Sequence, residues 1–194
     1  MELQVFIIDG TAIQPGDIAF ELTGPARSIL TIERLVLNIM QRMSGIATQT
    51  HQLVDMVKHT KVTLLDTRKT TPLFRYFEKA AVKIGGGQNH RFGLYDMVML
   101  KDNHIDYAGG VKKAITKTQK YLKENNKPLK IEVEVRNFRE LAEVLETGGI
   151  DIIMLDNFTP ADIRQALKQI NHAYQVEASG GINQSNLVDR KSVV

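Results

Sequence analysis

From about residue 60 onward the chain repeats one plan: a short apolar run, a polar cluster at its end, then an amphipathic stretch. Val62-Thr63-Leu64-Leu65 runs into Asp66-Thr67-Arg68-Lys69, and Met97-Val98-Met99-Leu100 runs into Lys101-Asp102-Asn103-His104. Ile131 to Val135 alternates with Glu132, Glu134 and Arg136; Ile150 to Leu155 ends at Asp156-Asn157; Val176-Glu177-Ala178 ends at Ser179-Gly180-Gly181. Between the runs, Val111–Lys123, Phe138–Glu146 and Pro160–Ile170 carry apolar residues at helical spacing. Strand, polar cluster and helix in repetition is the pattern of a parallel α/β protein. Strands buried on both faces read as continuous apolar runs, as most of these do.

The first thirty residues read differently. Leu3–Ile8 and Ile18–Leu22 are strand candidates, joined through a turn at Ile13-Gln14-Pro15-Gly16-Asp17. A long helical stretch follows, with Ile29, Ile32, Val36, Ile39, Met40 and Met43 on one face and Thr31 as its N-cap. Gly45 interrupts the pattern before Leu53, Val54 and Val57 resume it, which predicts two helices or one bent helix.

The polar clusters all fall at the C-terminal ends of the predicted strands, the end where α/β barrels and open α/β sheets bind ligands. The cations gathered there are Arg68, Lys69, Arg91 and Lys101, with His90 and His104 nearby; the anions are Asp66, Asp102, Glu134 and Asp156. Arginine grips carboxylate and phosphate bidentately, and lysine adds a point charge. Carboxylates on neighbouring strands suit a hard cation such as Mg²⁺ held together with substrate phosphates. A Ser179-Gly180-Gly181 turn offers backbone N–H groups to a phosphate. Together they point to a phosphorylated or pyrophosphorylated substrate and a second, anionic one.

Several residues carry a plainer reading. Asp66 also reads as a structural cap or salt-bridge partner, and Arg68-Lys69 as a solvated turn. Glu132, Glu134 and Arg136 share one face of their strand, and on an edge strand that face would be surface charge. Lys112, Lys113, Lys117, Lys120 and Lys123 read as a solvated helix face before they read as a nucleic-acid patch. His51, His59 and His172 read as surface residues.

Composition closes other routes. The chain has no cysteine, which removes disulfides, thiolate metal sites and cysteine nucleophiles. The formal net charge of +3 is mild. Met1-Glu2-Leu3-Gln4-Val5 has no basic leader of a secretion signal, no apolar run reaches membrane-span length, and a cytoplasmic location is expected.

Taken in order, the motifs resemble the quinolinate phosphoribosyltransferase family. They are Glu33-Arg34 with Asn38, Met43-Ser44-Gly45-Ile46-Ala47-Thr48, Asp66 through Pro72, Gly85-Gly86-Gly87 with Asn89-His90-Arg91, and Lys101 through His104. Glu132-Val133-Glu134-Val135, Leu155-Asp156-Asn157 and Glu177 through Gly181 complete the set, and the likeness extends to Asn183.

The resemblance implies transfer of phosphoribosyl from phosphoribosyl pyrophosphate to quinolinate, with decarboxylation, to give nicotinate mononucleotide, pyrophosphate and CO2. It implies that Arg68, His90, Arg91 and Lys101 line the quinolinate pocket, with Thr67 also among the substrate-binding residues. Lys69 would contact pyrophosphate, Glu134 and Asp156 would face the ribose and its Mg²⁺, and Ser179, Gly180 and Gly181 would cradle the 5-phosphate. Lys69, Glu134 and Asp156 are the implied catalytic residues. A homodimer is implied, with Arg34 entering the neighbouring site; no nucleic-acid or membrane partner is expected.

The family also has a longer N-terminal region and a further helix, strand and phosphate loop after Asn183. The expected architecture is therefore an incomplete, open α/β barrel over residues 31–183, preceded by the remainder of a small α/β sandwich domain over 1–30 and followed by an atypical tail, 184–194. An inactive or partner-dependent fragment, or a related phosphoribosyltransferase acting on another anionic ring, stays open beside the main reading.

Overall fold

The computed structural model describes residues 1–187, so residues 188–194 of the expected tail lie outside the described residues. The chain divides into two compact units. One comprises Met1–Met56 and Thr63–His90, the other Val57–Val62 and the chain from Arg91 onward.

In the first unit, β1 (Glu2–Val5) pairs antiparallel with β2 (Phe20–Thr23), in the register Glu2 to Thr23 and Val5 to Phe20. Helix α1 then runs unbroken from Ala26 to Val57, its last residue belonging to the second unit. Of the two expected outcomes, two helices or one bent helix, the structure has one helix: a single glycine costs a helix only about 1 kcal/mol, and the other 31 of its 32 residues outweigh it. Thr31 is not the N-cap. The helix starts at Gly24-Pro25, where the Pro25 carbonyl accepts from Ser28 and Ile29 N–H at 2.9 and 3.2 Å. Proline's fixed φ suits a helix start, and Thr31, a turn further in, bonds back to the Arg27 carbonyl at 2.7 Å. Helix α2 (Arg75–Ile84) ends at Gly85. A side chain at Gly85 would lie 2.4 Å from the Ala47 carbonyl oxygen of α1, so this glycine lets the two helices touch.

The predicted strand over Val62–Leu65 is not a strand; only a single parallel bridge joins Leu65 to Gln88. The reason is local. Asp66 N–H donates to the Gln88 carbonyl and Gln88 N–H to the Leu64 carbonyl, as a ladder begins. The next rung would take His90 N–H to the Asp66 carbonyl, but the Asp66 side chain accepts that N–H instead at 2.9 Å, and the ladder stops.

The second unit holds a sheet of four parallel strands in the order β3 (Val98–Leu100), β4 (Ile131–Val135), β5 (Ile152–Asp156) and β6 (Gln175–Ser179). Between them lie α3 (Asp102–Ala108), α4 (Val111–Glu124), α5 (Phe138–Thr147) and α6 (Pro160–Ile170). The helices start where their sequences say: Asn137 caps α5 by accepting from Glu140 N–H at 3.0 Å. Thr159 and Asp162 form a reciprocal capping box on α6, with Pro160 in its first turn.

Strand order equal to chain order, with a helix after each strand, is the winding of a barrel wall; a doubly wound sheet would reverse at a switch point. Side-chain alternation then separates two faces. Leu100, Ile131, Val133, Val135, Ile153 and Leu155 pack with Ile115, Leu141, Val144, Ile163 and Ala166 of the helices in one buried core. Burial of each such side chain is worth about 1.5–3 kcal/mol. The opposite face carries Met99, Glu132, Glu134, Met154, Asp156, Glu177 and Ser179. The fold is thus α/β, an open stretch of barrel wall: among the described residues no strand pairs with the outer edges of β3 or β6. None of the described helices is long and apolar enough to cross a membrane.

Candidate active site

The register of the sheet stacks its polar face in layers. Met99, Glu132, Ile152 and Gln175 are neighbours across the four strands; Glu134, Met154 and Glu177 form the next layer; Asp156 pairs with Ser179 above it. Strand β4 lies between β3 and β5, so its acidic face is not the surface of an edge strand. Glu132 is fully buried, and the Glu134 side chain is only 12% exposed.

At the C-terminal end of this face, the Lys101 ammonium lies 3.6 Å from the Glu134 carboxylate. Burial pushes the Glu134 carboxyl above its ordinary range; Lys101 pulls it down, but the negative charges of Asp156 and Asp102 add to the upward push, and the net shift is upward. Lys101 N–H donates to His104 Nδ1 at 3.0 Å, which fixes the turn from β3 into α3. The Arg91 guanidinium donates to the Met97 carbonyl at 3.2 Å and lies 3.5 Å from the Met99 sulfur, a side chain of the polar face. Its loop is held by Asp96, which accepts from Phe92 and Gly93 N–H at 2.5 and 2.8 Å. Burial raises the Asp96 carboxyl, and these N–H groups with Arg91 outweigh that and lower it.

After β5, Asp156 accepts from the Asn157 side chain at 2.8 Å. Gly180 sits at φ +83°, a backbone conformation that favours glycine, and a Cβ there would also fall 2.8 Å from the Asn157 backbone nitrogen. Ser179, Gly180 and Gly181 therefore form a turn directly beside the Asp156 strand end, with Gly181 also at positive φ. The sheet brings Lys101, Glu134, Asp156 and Ser179–Gly181 to one face and one end, and Arg91 meets the same face lower down, at Met97 and Met99 of the β3 side.

The other expected site residues belong to the first unit. Thr67, Arg68 and Lys69 form a tight turn, in which Lys69 N–H donates to Thr67 Oγ1 at 3.0 Å and Thr70 N–H to the Arg68 carbonyl at 2.9 Å. Arg68 Nε is buried with no hydrogen-bond partner among the described residues, whereas Lys69 is exposed. A buried donor of that kind is rare and suits an anion. His90 is half-buried and its backbone N–H is held by Asp66. Arg34 stands exposed on α1, on a helix that also exposes Leu30, Leu35, Val36 and Met40.

Three residues of α2 that hold the Thr67–Lys69 turn escape sequence reading. Arg75, Glu78 and Lys79 stand at i, i+3 and i+4, a spacing that any solvated helix face also shows. The lysines of α4 that read as a solvated face are indeed exposed, as are His51, His59 and His172.

Comparison with known proteins decides the family. Residues 46–194 match the C-terminal domain of quinolinate phosphoribosyl transferase, and residues 1–44 its N-terminal domain. This chain belongs to the quinolinate phosphoribosyltransferase family. It is 44% identical over 188 residues to a probable carboxylating nicotinate-nucleotide pyrophosphorylase of Archaeoglobus fulgidus, covering 93% of this chain and 70% of that protein. A Bacillus subtilis protein of the same description is 43% identical over 179 residues, 92% of this chain and 61% of the relative. A decarboxylating quinolinate phosphoribosyltransferase of Nicotiana tabacum is 43% identical over 196 residues, which is 94% of this chain but 55% of its own length. Among solved structures, the nicotinate-nucleotide pyrophosphorylase of Francisella tularensis superposes with a TM-score of 0.90 at 41% identity, covering 99% of this chain and 67% of that one. A NadC deletion mutant gives a TM-score of 0.92 at 40% identity over 100% of this chain and 68% of that one.

Proposed function

We propose that this chain carries out, or carries most of the machinery for, phosphoribosyl transfer from phosphoribosyl pyrophosphate to quinolinate, releasing pyrophosphate and CO2 and leaving nicotinate mononucleotide. The observation that carries this reading is the polar face of the four-stranded sheet. Adjacent strand ends present Lys101, Glu134, Asp156 and the Ser179–Gly181 turn, with Arg91 against Met99 of the same face, in a family whose named members are pyrophosphorylases and phosphoribosyltransferases of this kind.

On this reading Arg91 and Lys101 bind carboxylate groups of quinolinate, and their charge favours the electron-rich ring carbon left when CO2 departs. Glu134 and Asp156 face the ribose, where loss of pyrophosphate builds positive charge on the ring, and stabilise it. The N–H groups of Ser179–Gly181 bind the 5-phosphate. Arg68, with its buried Nε, His90 and Thr67 contribute substrate contacts, and Lys69, exposed at the end of its turn, meets the pyrophosphate as a point charge. Catalysis then rests on positioning and electrostatics, with no covalent enzyme intermediate.

The acidic set fits a hard divalent cation. Glu134 is held above its ordinary range by burial and by Asp156 and Asp102, a surplus of negative charge that Mg²⁺ would relieve. Glu134 and Asp156 would hold it, directly or through water and substrate. When bound, such an ion neutralises the departing pyrophosphate.

Arg34 acts in a second copy of the chain. The apolar side chains that surround it on α1, with Leu30 69% and Leu35 63% exposed, suit burial against another subunit. A cytoplasmic location goes with the bacterial and archaeal relatives, although plant relatives carry mitochondrial and chloroplastic names.

The test is turnover by the purified 194-residue chain with quinolinate, phosphoribosyl pyrophosphate and Mg²⁺, following nicotinate mononucleotide and CO2. Product formation with quinolinate but not with nicotinate supports the assignment. Equal use of nicotinate would refute the quinolinate specificity, and no product would refute activity of this chain alone.

A further inference from the structure

Beneath the Thr67–Lys69 turn lies a buried ion pair that substrate chemistry does not require. Lys79 Nζ of α2 meets the Asp66 carboxylate, and the two side chains are 3% and 7% exposed. The same carboxylate accepts from Asn89 Nδ2 at 2.5 Å on one oxygen and from His90 N–H at 2.9 Å on the other. Asn89 Nδ2 also reaches the Lys79 carbonyl at 2.8 Å. Three segments therefore converge on one buried group: the start of the 66–71 loop, the middle of α2, and the 88–90 segment.

The rest of that turn of α2 grips the loop further along. The Arg75 guanidinium donates to the Arg68 carbonyl and to Thr70 Oγ1, both at 3.3 Å. Glu78 accepts from Thr71 N–H at 3.1 Å and is itself held by Arg42 Nε at 2.9 Å. Burial pushes the Glu78 carboxyl up, and the bonds from Arg42 and Thr71 outweigh it and lower it.

A buried ion pair is a poor device for stability alone, because apolar residues of similar volume do as well or better. What the pair supplies here is direction. A carboxylate that must satisfy Lys79, Asn89 and His90 at once admits one placement of Asp66 relative to the segment that ends at His90. Arg68 and Lys69 follow Asp66 by two and three residues.

We propose that Asp66 and Lys79 are positioning residues, a buried lock that joins the Thr67–Lys69 turn to the Asn89–His90 segment and holds both in binding geometry. The inference rests on the quinolinate reading for its ligand but not for its structural content. Arg75 and Glu78 assist it; none of the four is proposed to touch substrate.

The experiment compares the full chain with Lys79→Met, Lys79→Arg and the double variant Lys79→Met/Asp66→Asn. The double variant removes both charges, so it leaves no lone buried charge and keeps the test available if Lys79→Met does not fold. Quinolinate affinity is measured by titration calorimetry, amide hydrogen exchange by mass spectrometry, and melting temperature in parallel. The expected result is a drop in quinolinate affinity of roughly tenfold or more for Lys79→Met and the double variant. Exchange rises in residues 67–71 and 88–90 while β4 to β6 stay protected, and Lys79→Arg recovers most of the affinity. Wild-type affinity and wild-type exchange of both segments in a folded variant lacking the pair would overturn the proposal. So would a uniform rise of exchange over the whole chain, which marks a merely structural pair. If the wild-type chain itself does not bind quinolinate, the functional reading fails while the exchange comparison still decides the lock.

Discussion

Two glutamates of the second unit, one buried and one half-buried, are treated in opposite ways. Glu140, 3% exposed in the first turn of α5, accepts from Arg136 N–H at 2.8 Å, Nε at 2.9 Å and Nη2 at 2.6 Å. Burial raises its carboxyl, and these bonds more than reverse that, so it titrates below its ordinary range. Glu134, on the polar face of β4, has Lys101 at 3.6 Å and two further negative charges nearby, and titrates above its ordinary range. The fold surrounds the Glu140 carboxylate with three Arg136 donors, whereas Glu134 has the more distant Lys101 and two carboxylates for neighbours. Carboxylates that oppose stability tend to sit where a ligand or transition state uses them. The two faces of the sheet repeat the contrast: one is a closed apolar core, the other a row of chargeable groups.

The largest expected effect breaks the apolar face. Ile153→Ala, at a fully buried position under the helices, should cost about 2–5 kcal/mol in urea unfolding. A loss below about 1 kcal/mol would mean that this face is not the core.

The second sharpens the glutamate contrast from the satisfied side. Glu140→Gln should cost about 1.5–3 kcal/mol at neutral pH, since charged hydrogen bonds to Arg136 are weakened. Its carboxyl is lowered from 4.5, so this contribution is full above pH 4.5 and lost as pH falls through the lower folded value. A variant defect that stays constant below that pH would contradict the assignment.

The crowded side gives a smaller effect of opposite sign. Glu134→Gln in metal-free buffer should raise stability by about 0.5–2 kcal/mol at neutral pH. Because the carboxyl is raised from 4.5, its ionisation weakens the fold as pH rises through the folded value, and the gain vanishes below pH 4.5. A loss of stability at neutral pH would show that Lys101 satisfies this group after all.

The smallest effect lies on the outer face of α4. Lys120, 3.8 Å from Glu124 and largely exposed, contributes about 0.5 kcal/mol or less, so Lys120→Ala should leave the melting temperature nearly unchanged.

Much of this was legible beforehand. Strands β3 and β5 announce themselves as apolar runs ending in polar clusters, because parallel strands roofed by helices carry little polar surface, whereas β6 alternates as β4 does. The capping box of α6 is written in Thr159-Pro160-Ala161-Asp162. The alternation of β4 was ambiguous, since an acidic face reads the same whether it meets water or a barrel interior; only its place between β3 and β5 resolves that. The Val62–Leu65 run looked like a strand and is not, because the Asp66 side chain takes the hydrogen bond that would extend the ladder. The grip of Arg75, Glu78 and Lys79 was invisible, because charged residues at helical spacing carry no mark of what they touch.

The most direct test of the central claim, that the polar face of the sheet is an anion-binding site, is quinolinate titration calorimetry of the wild-type chain against Lys101→Ala and Arg91→Ala. Measurable binding by the wild type is expected, with a weakening of roughly tenfold or more in each variant at unchanged melting temperature. Equal affinity in all three proteins would contradict the claim.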